Sequence, residues 1–112
     1  MTARFQVSPK AARTIDGITF DSRREATRYA DLKILQRAGV IGKIELQPSF
    51  QVAINGSLFC RYTADFSYYC KVTDRVVIED VKSTGTARDA AYRLRKKAAE
   101  LAYRIKITEV IA

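Results

Sequence analysis

Histidine is absent from the 112-residue chain, and cysteine is scarce. Without histidine, the protein cannot use Ser–His catalysis, histidine acid–base chemistry or most catalytic zinc sites. Cys60 and Cys70 are the two cysteines, and two are too few for a cysteine-only zinc site. We therefore expect no zinc. We also expect two reduced structural thiols, as in a cytosolic protein, with a disulfide as the alternative.

Long apolar segments are missing as well. No run of apolar residues approaches the ~20 that a membrane-spanning helix needs, and no apolar segment with a cleavage site stands at the N-terminus. The hydrophobic fraction of 47% and the charged fraction of 29% are typical of globular proteins. These features predict a single domain over residues 1–112, with no membrane association and a cytoplasmic location.

Positive charge is in excess, because 20 lysines and arginines stand against 12 acidic residues and give a formal charge of +8. Such a balance favours a polyanionic partner, and nucleic acid is the commonest one. Charge of this kind is expected both in a nucleic-acid enzyme and in a non-catalytic binding module.

The order of elements predicted from the sequence is helix, three strands, helix, strand. Residues 1–14 form a basic arm with a short strand near Phe5, and a hairpin follows around Asp16-Gly17. Asp21 and Ser22 can both cap a helix that runs to about residue 38, where Gly39 ends it. The fold class is therefore expected to be α/β (α+β).

The central strands are predicted at 44–52, interrupted by Pro48, at 58–69 and at 76–82, with a turn at Asn55-Gly56. Together they are expected to form an antiparallel meander. A second helix spans about 87–102, and residues 104–111 form a last strand that could lie parallel to the third through a right-handed crossover. The apolar side of the second helix is expected to comprise Ala90, Ala91, Leu94, Ala98 and Leu101.

Asp80 and Lys82 lie two residues apart on the third strand. Their side chains therefore point to the same face, roughly 6–7 Å apart along the strand. An aspartate there can bind a hard divalent cation, and a lysine can orient the attacking water or offset phosphate charge. The pair can thus build a phosphodiesterase site, and the alternative is an ion pair at a solvated strand end.

Two further acids are candidates for the same site, because Mg²⁺ requires several oxygen ligands. Asp65 stands between aromatic residues on the preceding strand, where an acid is unexpected. If the strands pair, Asp65 and Asp80 meet across the ladder. Glu25 faces the protein on a helical wheel. Ser22-x-x-Glu25 is also a capping box, and both interpretations stay open.

This arrangement resembles the PD-(D/E)xK nuclease superfamily over nearly the whole chain. The family motif matches Asp65 for the first acid and Asp80-Val81-Lys82 for the second half. Glu25 matches the first-helix acid of members such as Holliday-junction resolvases and phage endonuclease I. The segments 20–26, 62–66 and 79–82 also resemble small phage-encoded proteins of this superfamily.

The chain departs from the family motif at two positions that the superfamily tolerates. Ala64 replaces the proline before the first acid, and Asp80 replaces the commoner glutamate. The resemblance implies a restriction-endonuclease-like core with a mixed central sheet, and an Mg²⁺-dependent endodeoxyribonuclease in which Mn²⁺ can substitute. The implied metal ligands are Glu25, Asp65, Asp80 and the Val81 carbonyl, with Lys82 beside the attacking water.

The resemblance further implies a branched or structured DNA substrate, a homodimer and, for a phage-encoded protein, the cytoplasm of a bacterial host. A nicking or duplex-cleaving phage nuclease and a non-catalytic nucleic-acid-binding module are the alternatives. Basic residues on both helices are predicted to contact phosphates, with ordinary solubilising charge as the alternative. They are Arg23, Arg24, Arg28, Arg88, Arg95, Lys96 and Lys97. Four aromatic residues are expected in the core, with base stacking as the alternative: Tyr62, Phe66, Tyr68 and Tyr69.

Overall fold

A computed structural model describes residues 8–111 of the chain as a mixed α/β fold. In chain order the elements are a 3₁₀ turn (Lys10–Arg13), β1 (Thr14–Ile15), β2 (Ile18–Thr19), α1 (Arg23–Arg37), β3 (Glu45–Leu46), β4 (Ser49–Ile54), β5 (Ser57–Thr63), β6 (Phe66–Cys70), β7 (Arg75–Lys82), α2 (Thr84–Ala87), α3 (Ala90–Tyr103) and β8 (Ile107–Ile111). The strand expected near Phe5, and half of the basic arm, lie outside the described residues.

A four-stranded mixed sheet with the order β3-β6-β7-β8 forms the centre of the fold. β6 is antiparallel to both β3 and β7, whereas β8 lies parallel to β7. The mixed α/β class and the parallel pairing of the last strand agree with the prediction from the sequence. Parallel neighbours need a long crossover connection, which α2 and α3 supply here.

The first hairpin and the first helix were also predicted correctly. β1 pairs with β2 across Asp16-Gly17, where both residues have positive φ. α1 begins after Ser22, whose Oγ accepts a hydrogen bond from the Glu25 N–H at 3.1 Å. It ends just before Gly39, whose φ of +80° suits the left-handed turn that closes many helices.

The expected long strand over residues 58–69 was wrong, because the chain leaves one sheet and enters another at Ala64-Asp65. β5 pairs only with β4, in a separate two-stranded sheet, whereas β6 joins the central sheet. The Ala64 N–H donates to the Pro48 carbonyl at 3.0 Å, and the Asp65 N–H donates to the Glu79 carbonyl at 3.0 Å. The meander of the central sheet is therefore β3, β6 and β7, with the β4–β5 hairpin inserted.

Apolar side chains cover both faces of the central sheet. On one face, α1 and the β1–β2 hairpin enclose a core of Phe20, Ala26, Tyr29, Leu32, Ile41, Phe66, Tyr68 and Val81. On the other face, α3 and the β4–β5 hairpin enclose a core of Val52, Tyr62, Ala64, Ile78, Tyr92, Ala99 and Ile107. Tyr69, which was expected in the core, is instead exposed beside the β6–β7 turn, and its hydroxyl donates to Asp74.

The expected inner face of the second helix was wrong as well. Leu94 and Leu101 are 60% and 69% exposed, whereas Tyr92 and Ala99 are buried against the sheet. The Tyr92 ring packs 6.3 Å from the Tyr62 ring, and its hydroxyl donates to Glu109 at 2.9 Å. Tyr92 packs its ring in the core and hydrogen-bonds its hydroxyl to Glu109. It thus determines which face of α3 turns inward. α3 also begins later than expected, because α2 forms a separate turn before it.

Two further expectations concern the state of the cysteines and membrane-spanning helices. Cys60 and Cys70 are free thiols, so the reduced state is the one that the fold holds. No helix between residues 8 and 111 is long and apolar enough to cross a membrane.

Candidate active site

Asp80 and Lys82 share one face at the end of β7, as strand alternation predicted. The Lys82 Nζ lies 3.4 Å from the Asp80 Oδ1. The Tyr62 hydroxyl donates to the other carboxylate oxygen of Asp80. The Asp80 side chain is almost fully buried, and its Oδ1 has no hydrogen-bond partner among the described residues. Buried polar atoms normally have such a partner, so this oxygen is available to a ligand.

Asp65 lies at the break between β5 and β6, one residue before the Phe66–Glu79 register pair. Its N–H donates to the Glu79 carbonyl, and its Oδ2 accepts the Val81 N–H at 2.7 Å. These bonds hold the Asp65 carboxylate against the backbone that follows Asp80. Asp65 therefore lies beside the segment that carries Asp80, although at a strand break and not in mid-strand.

The surroundings of Asp65 disfavour its charged form. Its pKa is raised to about 8, mainly because burial penalises the carboxylate. The hydrogen bond from the Val81 N–H opposes this shift, whereas the nearby carboxyl groups of Asp80 and Glu25 add to it. Repulsion from these neighbouring carboxyl groups therefore favours a proton on Asp65.

Glu25 adds a third acid from the first turn of α1. Its Oε1 accepts a hydrogen bond from the Ser22 hydroxyl at 3.3 Å, so it takes part in capping the helix. Burial raises the pKa of Glu25, with Asp21 adding to the shift and Ser22 opposing it. The charge of Lys82 lowers this pKa and that of Asp80 raises it. Glu25 is therefore a capping residue that also lies within electrostatic reach of the aspartates and the lysine.

Comparison with known proteins places this site within a family. The family described as "protein of unknown function (DUF1064)" matches residues 9–112. The chain belongs to the DUF1064 family. No curated protein and no solved structure matches the chain. Glu25, Asp65, Asp80 and Lys82 all fall inside the matched range, so the candidate site lies within the DUF1064 region.

An aromatic ring lies beside Lys82 on the α3 side of the DUF1064 fold, and the hydroxyl of that ring reaches a second ion pair. The Lys82 Nζ lies 4.8 Å from the centre of the Tyr92 ring, a distance at which a cation is attracted to the ring face. The Glu109 Oε2 accepts the Tyr92 hydroxyl and lies 3.7 Å from the Lys96 Nζ. Lys96, a predicted DNA contact, is therefore paired with Glu109.

Arg28, another predicted DNA contact, forms an ion pair with the buried Glu79. Its Nε and Nη2 donate to the two carboxylate oxygens of Glu79 at 2.8 and 2.6 Å. The Tyr68 hydroxyl donates to the same carboxylate. The hydrogen bond to Glu79 is the main reason that the pKa of Arg28 is raised. Arg28 thus ties α1, which carries Glu25, to β7, which carries Asp80.

The sequence analysis missed four contributors to the site region, and their signals differ. Glu79 and Glu109 each interrupt an otherwise apolar face of a strand, which is a signal that a buried acid needs a partner. Tyr62 and Tyr92 gave no such signal, because aromatic residues are ordinary core residues. Only the tertiary structure shows which hydroxyl reaches which carboxylate.

The remaining predicted DNA contacts of the DUF1064 chain lie at the surface. Arg23 and Arg24 occupy the turn of α1 that carries Glu25, so they flank the acidic cluster. Arg88 follows α2, and Arg95 and Lys97 lie on α3. All five side chains are placed where a polyanion could reach them.

The donor set suits a hard divalent cation. Within residues 8–111, no group of three or more His, Cys, Asp or Glu side chains is already arranged to hold a metal ion. The cluster nevertheless offers the carboxylate oxygens that Mg²⁺ and Mn²⁺ prefer, and one of them is buried without a hydrogen-bond partner. The residues present therefore fit Mg²⁺ or Mn²⁺.

Proposed function

We propose that this protein is a metal-dependent endonuclease that hydrolyses phosphodiester bonds in branched or otherwise structured DNA. The observation that carries the proposal is the meeting of Asp65 and Asp80 beside a single cation, Lys82. The Asp80 Oδ1 is buried, lacks a hydrogen-bond partner among the described residues and lies 3.4 Å from the Lys82 Nζ. Buried charges are normally compensated, and a divalent cation would complete the compensation here.

The arrangement of elements supports the same proposal. α1, the β3–β6–β7 meander, α3 and the parallel β8 follow the order of the restriction-endonuclease-like core that the PD-(D/E)xK resemblance implies. The acids lie on α1, just before β6 and near the end of β7, an order that agrees with the motif. The β4–β5 hairpin is then an insertion between the first and second strands of the core.

Each residue of the site has a chemical role in this proposal. Asp65, Asp80, Glu25 and the Val81 carbonyl would hold the cation. When bound, Mg²⁺ or Mn²⁺ would supply Lewis-acid stabilisation of the negative charge that develops on the phosphate. The Lys82 ammonium is held between Asp80 and the face of the Tyr92 ring. From there it would orient the attacking water or offset phosphate charge.

The charge of the chain supports DNA as the substrate. A formal charge of +8 favours a polyanion, and the exposed arginines and lysines listed above would contact backbone phosphates on either side of the cut. A homodimer would present two such sites, which is the simplest way for a small nuclease to cut two strands.

A cleavage assay tests the proposal directly. A four-way junction, a duplex, a single strand and an RNA of matched sequence are incubated with Mg²⁺, with Mn²⁺ and with chelator. We expect metal-dependent cutting by the wild type and loss of cutting in Asp80→Asn and Lys82→Ala. Asp31→Asn and Lys43→Ala replace exposed residues outside the site and serve as matched controls that keep activity. Failure to cut any substrate in either metal would overturn the proposal.

A non-catalytic nucleic-acid-binding module is the second candidate. It is favoured by the absence of a ready three-ligand metal group within residues 8–111. It accounts for the positive charge but leaves the juxtaposition of Asp65 and Asp80 without a purpose. The same assay separates the two, because binding that is unaffected by Asp80→Asn and accompanied by no cutting in any metal would support the module.

A further inference from the structure

A cleft opens beside the acidic cluster, between the β1–β2 hairpin, the start of α1 and the β3–β4 connection. It has a volume of about 150 Å³, and Glu25 and Asp65 lie in its wall. Ile18 and Leu46 provide apolar surface, whereas Asp21 and Gln47 provide polar groups. Apolar surface combined with convergent polar groups is typical of small-molecule sites.

Gln47 is held in an unusual backbone conformation at this cleft. Its φ is +51°, in the left-handed region that glycine adopts at lower cost. Its N–H donates to the Asp65 carbonyl at 2.9 Å, which ties it to a candidate metal ligand. The side-chain amide makes no hydrogen bond to any residue between 8 and 111. Non-glycine residues in this region cluster at functional sites.

Leu46 is the second unusual residue of the cleft. It is 40% exposed although it belongs to the central sheet. Its side chain therefore offers apolar surface next to the free amide of Gln47. The Leu46 side chain can contact the face of a ring, and the Gln47 amide can donate and accept hydrogen bonds at the polar edge of that ring. Recognition of an unstacked base in proteins combines these two contacts.

We infer that this cleft receives one unstacked nucleobase adjacent to the scissile phosphate, a pyrimidine in preference to a purine. The inference rests on the proposed nuclease function. The preference for a pyrimidine follows from the volume of the cleft, because a cavity of about 150 Å³ holds a benzene-sized ring. A pyrimidine fills that space, whereas the second ring of a purine would project into solvent.

The position of the cleft explains why structured DNA would be preferred. A base can enter only after it leaves the helical stack, and the cost is smallest where it is already unpaired. Branch points, loops and strand ends supply such bases. The feature recognised is then a single unpaired nucleotide beside the cut, and not the overall shape of a junction.

Abasic substitution tests the inference. After the cut has been mapped on a single strand or junction, the nucleotides on each side are replaced one at a time by an abasic residue. We expect one flanking position to lower kcat/KM by about tenfold or more, comparable to losing one stacked base, and the other to have little effect. At the sensitive position, cytosine and thymine should be cut faster than adenine and guanine.

Two glycine variants form a matched pair for the role of Gln47. Gln47→Gly removes the amide and relieves the backbone, so it should fold at least as well as the wild type and cut intact and abasic substrates at equal rates. Asn55 has the same φ of +51° in the β4–β5 turn, outside the cleft. Asn55→Gly should therefore keep the full discrimination. Thermal unfolding of both variants shows that they are folded.

Base entry can also be observed without cleavage. A fluorescent pyrrolocytosine at the sensitive position should change its emission on binding to the inactive Asp80→Asn variant, and Gln47→Gly in that background should reduce the change. If no substrate is cut in any metal, the proposed function fails. If cutting occurs at the same rate with every abasic substrate, or if purines are preferred, the base site is wrong while the nuclease stands.

Discussion

Glu79 and Asp80 are neighbours on β7, and each is 1% exposed. Their carboxylates nevertheless differ in how completely they are hydrogen-bonded on the two faces of the sheet. Glu79 points towards α1, where both of its oxygens accept hydrogen bonds from Arg28 and one also accepts from Tyr68. Asp80 points to the opposite face, where only one oxygen has a hydrogen bond and the other has a lysine at 3.4 Å.

The comparison shows that burial alone does not distinguish a structural acid from a functional one. A buried charge that is fully paired belongs to the architecture, since it needs nothing more. A buried carboxylate with an oxygen that lacks a hydrogen-bond partner can bind a ligand such as a cation. Asp65 reinforces the contrast, because it lies against the backbone that follows Asp80 and burial disfavours its charged form.

The largest expected effect is on activity at the Asp80 side. Lys82→Ala should lower the single-turnover cleavage rate by about 10²- to 10⁴-fold, the range for removing a group that acts on a proton or on developing charge. Asp80→Asn should lower it at least as much. Asp80→Asn should not reduce the free energy of unfolding appreciably, because it removes a buried charge that is incompletely paired, whereas Lys82→Ala should reduce it, because it takes the cation away from that charge. A loss of folding in Asp80→Asn, measured by urea denaturation, would contradict the comparison.

The next largest effect is on stability at the Glu79 side. Arg28→Met leaves the buried Glu79 carboxylate without its cation and with only the Tyr68 hydroxyl as a side-chain donor, so it should lower the free energy of unfolding by about 3–5 kcal/mol. Urea denaturation measures the loss. The double variant Arg28→Met with Glu79→Gln should recover much of it, since no buried charge is left. If Arg28→Met alone were as stable as the wild type, Arg28 would not be a structural residue, and its predicted role as a DNA contact would be favoured.

Local rules were enough for parts of the fold and the site. The cap at Ser22, the turn at Asp16-Gly17 and the shared face of Asp80 and Lys82 depend on residues within a few positions of one another. Capping preference, turn chemistry and strand alternation act over that range. These features were therefore predicted correctly from the sequence.

Long-range pairing determined what the sequence left open. Arg28 and Glu79 are 51 residues apart, and no local pattern names one as the partner of the other. The break at Asp65 arises because the strand leaves β4 and joins β7, a choice made by the whole sheet. Likewise the apolar stripe of Leu94 and Leu101 on α3 was a reasonable core face until Tyr62 and Glu109 supplied partners for Tyr92.

Metal binding should give a smaller, pH-dependent effect on the Asp80 side. Mg²⁺ at about 100 times its Kd should raise the free energy of unfolding by about 2.7 kcal/mol. The pKa of Asp65 is raised to about 8, from about 3.9 for an ordinary aspartate. The metal-free protein then binds more protons than its unfolded chain between about pH 4 and 8, so its stability from this group falls as pH rises. Since Mg²⁺ binds the ionised form, stabilisation by Mg²⁺ should grow across that window.

Thermal unfolding with Mg²⁺ and with chelator, at several pH values, measures this prediction. Glu79→Gln leaves the proposed ligands in place, so it should still respond to Mg²⁺, whereas Asp80→Asn should respond little. An equal Mg²⁺ response in both variants would mean that the cation binds somewhere other than the Asp65–Asp80 pair.

The smallest expected difference separates the two tyrosine hydroxyls that reach these acids. Tyr68→Phe removes a donor from Glu79 and should cost about 1.5 kcal/mol with or without Mg²⁺, because the partners of that charge are all part of the protein. Tyr62→Phe removes a donor from Asp80, whose lost contact the cation can replace. Its cost should therefore shrink in Mg²⁺ while the Kd for Mg²⁺ shifts by about 10- to 100-fold. Isothermal titration measures the Kd for Mg²⁺ of both variants. Equal Kd values would mean that both hydroxyls have only a structural role, and the distinction between the two faces would be lost.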